Sequence, residues 1–168
     1  MATVLSAWIC GGKSHLIENF NNGEITEVLS TYYKYNLTDE QKNAPLESIK
    51  STTREPNPNW PQNYIDAVKD AAKKYKIVLV CPGIWLMDMI KEQGIELTLA
   101  IPDAGDKEEY KRRSKLRGNN DKFLQRIEDN FEKDRNEMLE SSHNKLMMKP
   151  GEYLHDALLR EGILPAEA

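Results

Sequence analysis

Short apolar segments that alternate with helical patterns constrain the fold of this chain more than any other feature. Three such segments stand out, at residues 3–9, 77–80 and 97–101. Segments this short and this apolar are typical of strands that are covered on both faces, as in parallel sheets. Two weaker candidates, residues 26–29 and 145–148, bring the expected number of strands to about five. The pattern predicts an α/β fold built on a parallel sheet.

Helical periodicity fills the segments between these strands. Between residues 62 and 74, for example, Tyr64, Ile65 and Val68 recur on one side of a helix. The predicted helices are residues 15–20, 62–74, 84–93, 107–116, 121–140 and 151–160. Strands that alternate with helices are joined by right-handed crossovers. We therefore expect one domain over residues 1–168, with helices on both faces of the sheet.

Residues 36–61 break this alternation. They contain Pro45, Pro56, Pro58 and Pro61 among polar residues, and prolines in such a setting disfavour a central strand or a continuous helix. Long loops in compact domains commonly carry function or move. The segment is predicted to be an insertion or a long loop.

Composition excludes several classes of protein. The chain has 168 residues, of which 39% are hydrophobic, and a formal net charge of −4, which fits one folded domain and argues against non-specific binding to nucleic acid. No apolar run approaches the roughly 18 residues that cross a bilayer. Cys10 and Cys81 are too few for a disulfide framework. We expect a cytoplasmic protein that acts at no membrane.

The stretch 7–14, Ala-Trp-Ile-Cys-Gly-Gly-Lys-Ser, follows the first strand and opens a helix. Gly11 and Gly12 let the backbone bend so that N–H groups face an anion, and the helix N-terminus adds its unsatisfied donors. Lys13 is expected to bridge the outer phosphates of a nucleotide, and Ser14 to place its hydroxyl on Mg²⁺. The predicted phosphate loop consists of Cys10, Gly11, Gly12, Lys13, Ser14 and His15.

One departure from the strict phosphate-loop motif leaves an alternative open. The motif begins with glycine, whereas Ala7 stands at that position. A plain glycine turn with an exposed Lys13 is therefore the competing interpretation. The strand before the turn and the helix after it favour the phosphate loop, because the motif depends on that context.

A second concentration of charge lies at residues 109–117. Arg113 and Arg117 are four residues apart and share one side of the predicted helix. Arginines on a mobile helix can neutralise charge on transferring phosphates, which predicts a catalytic role for both and a lid-like basic helix at residues 106–120. The alternative is a solvated helix surface on which Glu109 pairs with Arg113.

Four segments, in their order and spacing, resemble the nucleoside-monophosphate-kinase-like P-loop proteins, most closely the small nucleotide-kinase-like proteins of tailed phages. Residues 57–65, for example, are Asn-Pro-Asn-Trp-Pro-Gln-Asn-Tyr-Ile, similar to the family's Asn-Pro-x-Phe-Pro-x-Asn-Tyr-Ile. The other three segments are residues 5–16, 94–119 and 151–154. The resemblance implies a three-layer P-loop sandwich with a five-stranded parallel sheet in the order 2-3-1-4-5. It also implies ATP and Mg²⁺, with phosphoryl transfer to a nucleoside monophosphate.

The resemblance further implies an acceptor site beside the end of the second strand and residues 57–64. The expected substrate contacts are Tyr32, Tyr33, Asn63, Tyr64 and Trp85. Three departures from the family pattern occur near this site. Cys10 replaces a glycine, residues 30–32 (Ser-Thr-Tyr) replace an Asp-x-Asp sequence, and residues 81–87 contain no arginine.

Two functions remain open on the sequence. The first is an active kinase, supported by the retained Lys13 and the two arginines. The second is a catalytically degenerate relative that binds a nucleotide, or a host or phage protein, without transferring phosphate. The aromatic and apolar replacements, such as Tyr32 and Trp85, support this second function, although core packing is an alternative explanation for Trp85.

Overall fold

The computed structural model of the chain describes residues 2–20, 23–29, 32–35, 54–80 and 83–164. The strands are β1 (Thr3–Ala7), β2 (Ile25–Glu27), β3 (Tyr33–Tyr35), β4 (Arg54–Pro56), β5 (Ile77–Val80), β6 (Leu97–Ile101) and β7 (Asn144–Met147). The helices are α1 (Lys13–Phe20), α2 (Gln62–Lys74), α3 (Ile84–Glu92), α4 (Lys107–Leu116), α5 (Asp121–Glu140) and α6 (Leu154–Arg160). The predicted α/β alternation is confirmed.

Five strands form one parallel sheet with β1 at its centre. The order from edge to edge is β2-β5-β1-β6-β7, and every neighbouring pair is parallel. Leu5 of β1 lies opposite Leu79 of β5 and Thr98 of β6. All strand residues of β5 are buried, as expected for a strand that helices cover on both faces.

Each face of the sheet has its own apolar cluster, because successive side chains of a strand point to opposite faces. Val4 of β1 belongs to the cluster beneath α2, α3 and α5. Leu5, the next residue, packs with Leu16 of α1 and Leu158 of α6. The carboxyl ends of the parallel strands therefore meet at one edge of a three-layer structure. In such folds, ligands bind at that edge.

The prediction of about five strands is wrong, because the described residues contain seven. The two additional strands, β3 and β4, pair antiparallel in a separate small sheet, with Tyr33 opposite Pro56. With all seven strands numbered along the chain, the order of the large sheet is therefore 2-5-1-6-7 rather than 2-3-1-4-5. Each of the two strands is three residues long and has no apolar pattern of its own, so only the pairing between distant segments creates them.

Most boundaries of the main elements agree with the sequence pattern. The bounds of α2, α4, α5, β5 and β6 are those predicted. The last helix begins at Leu154 rather than at residue 151, because Gly151 has a positive φ of 74° that ends the preceding turn. Residues 36–53 of the predicted insertion lie outside the described residues. Within the described part of the chain, no helix has both the length and the apolar character needed to cross a bilayer.

Candidate functional site

The turn between β1 and α1 lies at the carboxyl edge of the sheet, directly after its central strand. The Gly11 N–H donates to the Trp8 carbonyl oxygen at 3.1 Å. A Cβ atom on Gly11 would lie 2.9 Å from that same oxygen, so the turn requires glycine there. Because the Gly11 N–H is used inside the turn, it does not face outward as the sequence predicted. The donors available to an anion are those of the first turn of α1.

Cys10 has a left-handed backbone conformation, which favours glycine. Its φ is 61°, and it is the only non-glycine residue in the described part of the chain with a positive φ. A left-handed conformation costs an L-residue roughly 1–2 kcal/mol. Such strain persists only where surrounding contacts hold it, and the neighbours of the turn supply those contacts.

Tyr153 and Leu154, at the start of α6, contact the turn. The Leu154 N–H donates to the Gly11 carbonyl oxygen at 2.9 Å. Gly12 has a φ of 105°, and a Cβ atom there would lie only 3.1 Å from Cδ1 of Tyr153. His15, which is exposed, has its ring 5.8 Å from that of Tyr153. Gly12 is therefore required both by its backbone conformation and by this close approach.

Arg113 of α4 braces the turn between β1 and α1 through a hydrogen bond to its backbone. Its side chain is only 3% exposed, and its Nη1–H donates to the Cys10 carbonyl oxygen at 3.3 Å. Its Nη2 group donates to the carbonyl oxygens of Gly151 and Glu152 at 3.0 and 3.1 Å. The guanidinium carbon also lies 3.8 Å from the ring centre of Tyr153. The sequence pattern predicted that Arg113 belongs to a mobile lid, whereas in the structure its two terminal nitrogens donate to three backbone carbonyl oxygens.

Glu109 completes the surroundings of this buried cation. Its Oε1 atom lies 3.2 Å from Nε of Arg113, and the same carboxylate pairs with Arg112 on the helix surface. The hydrogen bond from Arg112, with a further one from Arg113, lowers the pKa of Glu109 to about 2, although partial burial opposes the shift. Glu109 is therefore ionised at neutral pH and balances the charge of Arg113.

Arg117 occupies a different environment from Arg113. It follows α4, and its side chain is exposed. Its Nη1 atom lies 3.8 Å from Sγ of Cys10. Of the two arginines that the sequence assigned to phosphate contacts, Arg117 is thus the one that lies beside the turn and also reaches solvent.

Lys13 begins α1 and turns toward the neighbouring edge of the sheet. Its Nζ atom lies 3.4 Å from Oε2 of Glu27, the last residue of β2, and the two side chains are 18% and 23% exposed. In the structure, Lys13 is therefore not directed into bulk water, as the competing interpretation of the sequence required. Ser14, the next residue of α1, is exposed.

Glu27 is the functional candidate that the sequence interpretation missed. That interpretation looked for a carboxylate after the second strand, at residues 30–32, and residues 30 and 31 lie outside the described part. The strand ends earlier, at Glu27, so the carboxylate is already at its carboxyl end. The signal in the sequence was Glu27 itself, because it is an acidic residue inside an otherwise uncharged strand pattern.

Ser14 and Glu27 are the residues at this edge of the sheet that could hold a magnesium ion. In the described part of the chain, no group of three or more His, Cys, Asp or Glu side chains could hold a metal ion. Mg²⁺, however, usually uses one or two carboxylates together with phosphate oxygens and waters. The hydroxyl of Ser14 and the carboxylate of Glu27 are oxygen ligands of that kind, whereas Lys13 is a cation for the phosphates.

Four aromatic side chains form a chain of ring contacts near the end of β2, and Trp60 is at its centre. The ring of Trp60 lies 5.6 Å from Tyr32, 5.5 Å from Tyr64 and 6.3 Å from Trp85. We call these four residues the aromatic cluster. The Tyr64 hydroxyl donates to the Val28 carbonyl oxygen at 2.9 Å, which ties the cluster to the residue after Glu27. The sequence named three of the four members and missed Trp60.

Solvent exposure divides the aromatic cluster. Tyr64 is fully buried, whereas Tyr32 is 41% exposed and Trp85 is 56% exposed. Exposure of this size rules out plain core packing for Trp85. Asn63, the remaining described residue of the predicted acceptor site, is partly buried in the first turn of α2. The side chain of Tyr33 and all of Cys81 lie outside the described residues.

Comparison with known proteins adds no assignment to this geometry. No protein-family model matches the chain, and no curated protein matches it.

The strain at Cys10 predicts an unusual response to glycine. Cys10→Gly and Cys10→Ala both remove the thiol, but only glycine adopts the left-handed conformation without cost. We expect the glycine variant to exceed the alanine variant by about 0.5–1 kcal/mol in free energy of unfolding, because the relief of strain is partly offset by the larger backbone entropy that glycine loses on folding. Urea denaturation of the two variants measures this difference. Equal stability, or a more stable alanine variant, contradicts a strained turn.

The low pKa of Glu109 predicts how its contribution depends on pH. A carboxylate whose pKa falls from 4.5 to about 2 on folding stabilises the native state above pH 4.5, and this contribution disappears as the pH falls toward 2. Glu109→Gln should therefore destabilise the protein at pH 7 and make progressively less difference between pH 4.5 and 2. Urea denaturation at several pH values measures it, with the exposed Glu96→Gln as the control. A penalty that does not change with pH argues against the ionised pairing.

Proposed function

We propose that the chain is a cytoplasmic P-loop phosphotransferase of nucleotide-kinase type, which moves the terminal phosphoryl group of ATP to a nucleoside monophosphate. The observation that carries this proposal is the position of Lys13. It stands at the N-terminus of α1, after a glycine turn, at the carboxyl end of the central strand, with the Glu27 carboxylate 3.4 Å away. Cation, helix N-terminus and carboxylate at one edge are the parts that phosphoryl transfer uses.

Sheet topology supports the proposal. When only the strands of the large sheet are counted along the chain, β2-β5-β1-β6-β7 is the order 2-3-1-4-5 that the family resemblance implies. The chain crosses from one side of β1 to the other between β5 and β6. In open parallel sheets, ligands bind in the crevice next to such a switch point, and the turn after β1 lies there.

On electrostatic grounds, each residue on the ATP side of the proposed site has its own role. The first-turn amides of α1 and the ammonium of Lys13 attract the phosphates, and Lys13 stabilises the charge that develops on the transferring group. Before a nucleotide binds, Glu27 keeps Lys13 oriented along the edge of the sheet. Mg²⁺, when bound, neutralises phosphate charge, and Ser14 and Glu27 are the residues that would hold it. Arg117 is the exposed cation that can approach the phosphates from α4.

The aromatic cluster supports an acceptor site beside these residues. Tyr32 and Trp85 present partly exposed rings, and Tyr64 anchors the cluster next to Glu27 through Val28. Exposed aromatic faces stack on nucleobases at about 1–3 kcal/mol per base. An acceptor base held there would be carried by α2 and α3, which follow β4 and β5.

A second candidate function is nucleotide binding without transfer, or binding of a host or phage protein. The engagement of Arg113 with three carbonyl oxygens favours it, because one of the two arginines expected to neutralise transition-state charge is occupied. Exposed Trp85, Tyr32 and Leu29 also leave apolar surface near the site. Release of ADP with a monophosphate acceptor distinguishes the kinase from this candidate.

Replacement of Lys13 tests the proposal. Lys13→Ala should lower kcat for ADP release, with ATP, Mg²⁺ and a panel of nucleoside monophosphates, by about 100-fold or more, because it removes a charge that acts on the transition state. A coupled ADP assay measures the rate, and Lys122→Ala, at an exposed position of α5, should leave it unchanged.

Three results separate the candidates. Loss of turnover in Lys13→Ala alone supports the kinase. Saturable ATP binding to the native protein without turnover supports the second candidate, provided that Lys13→Ala weakens that binding. If ATP neither binds nor reacts, both nucleotide functions fail.

A further inference from the structure

A cavity opens between the end of β1, the first residues of the turn that follows it (Trp8 and Ile9), the start of α3 and one side of α5. Its volume is about 220 Å³, and among the described residues that line it none belongs to the segment 10–14. This volume is below the roughly 300–1,000 Å³ of pockets for drug-sized ligands. A single ring system fits the space.

The two walls of this cavity differ in chemistry. Trp8, Ile84 and Met87 form an apolar wall, and the polar wall consists of side chains from one side of α5. Asn130 and Asp134 are four residues apart on that helix and therefore neighbours on its surface. An apolar surface that faces a few convergent polar groups is the usual construction of a small-molecule site.

Charge limits what the polar wall can bind. The carboxylates of Asp134 and Glu137 line the cavity together with a single guanidinium, that of Arg126. An excess of carboxylate repels phosphate and other anions, and it attracts N–H donors. The cavity is thus unsuited to the phosphates that the turn near Lys13 attracts.

Two side chains of the wall offer hydrogen bonds to a ligand. The Trp8 Nε1–H donates to Oδ2 of Asp134 at 3.1 Å, which holds the carboxylate in place and leaves Oδ1 as an acceptor. The side-chain amide of Asn130 makes no hydrogen bond within the described residues. It therefore presents both a donor and an acceptor next to that carboxylate.

We infer that this cavity binds a neutral heteroaromatic ring that carries an exocyclic amine next to a ring nitrogen, the chemistry shared by cytosine and adenine. The amine donates to Asp134, the Asn130 amide pairs with the neighbouring ring nitrogen, and the ring packs against Ile84 and Met87. Uracil and hypoxanthine present a carbonyl oxygen where the amine stands, and this oxygen faces a carboxylate. Lys13 and the first turn of α1 do not line this site, so ring binding there does not require the residues proposed for phosphoryl transfer.

Matched pairs of nucleosides test this inference. Isothermal titration calorimetry of the full chain should give cytidine at least about tenfold tighter binding than uridine, and adenosine tighter binding than inosine, because the analogues lose a hydrogen bond to a charged group. Equal affinity within either pair, or no binding of any of the four nucleosides, overturns the inference.

Variants on α5 locate the binding. Asn130→Ala should weaken cytidine about fivefold or more, while Asn136→Ala, at an exposed position of the same helix, should have no effect. Asp134→Asn should abolish the preference for cytidine over uridine, because an amide can donate to a carbonyl. If Asn130→Ala does not change cytidine affinity, as expected for binding at the aromatic cluster, the inference is overturned.

Lys13→Ala separates this inference from the proposed function. It should leave cytidine affinity unchanged while ATP binding is lost. Coupled loss of both ligands in Lys13→Ala contradicts two independent sites, whereas failure of ATP to bind the native protein counts against the proposed function alone.

Discussion

The buried guanidinium of Arg113 joins three segments that are far apart in the sequence, and the geometry of the candidate site depends on this contact. It donates to the carbonyl oxygens of Cys10, Gly151 and Glu152, and Glu109 balances its charge. Removing one partner from a buried, hydrogen-bonded ion pair is strongly destabilising, because the remaining group is left without compensation. The strained backbone at Cys10 is therefore held by a cation whose hydrogen bonds go to backbone oxygens and to Glu109.

The fixed position of this turn determines which groups lie at the carboxyl edge of the sheet. Lys13 and the first turn of α1 follow the braced residues directly, so their positions depend on the brace. The parallel order of the strands brings Glu27 from β2 to the same edge, and the aromatic cluster lies one residue further along through Val28. The cation, the carboxylate and the aromatic surface thus come from separate segments, and only the sheet brings these segments together. The site is therefore a property of the fold and not of one sequence motif.

Local patterns predicted local structure well, and contacts between distant segments escaped them. The stripe of apolar residues defined α2 and α5 to their ends, because helical periodicity depends on neighbours along the chain. The pairing of Glu109 with Arg113 was visible at four-residue spacing, whereas the oxygen of Cys10 lies 103 residues away from Arg113 in sequence. Glu27 was missed because the end of β2 depends on its pairing with β5, which no local pattern encodes.

The proposed function requires that the braced turn and the first turn of α1 bind phosphate. Amide chemical shifts of ¹⁵N-labelled protein, followed while ATP and Mg²⁺ are added and compared with adenosine alone, test it most directly. We expect saturable shifts that are largest at Gly12, Lys13 and Ser14 and that require the phosphates. Shifts at these amides that are absent, or that adenosine produces equally well, would contradict it.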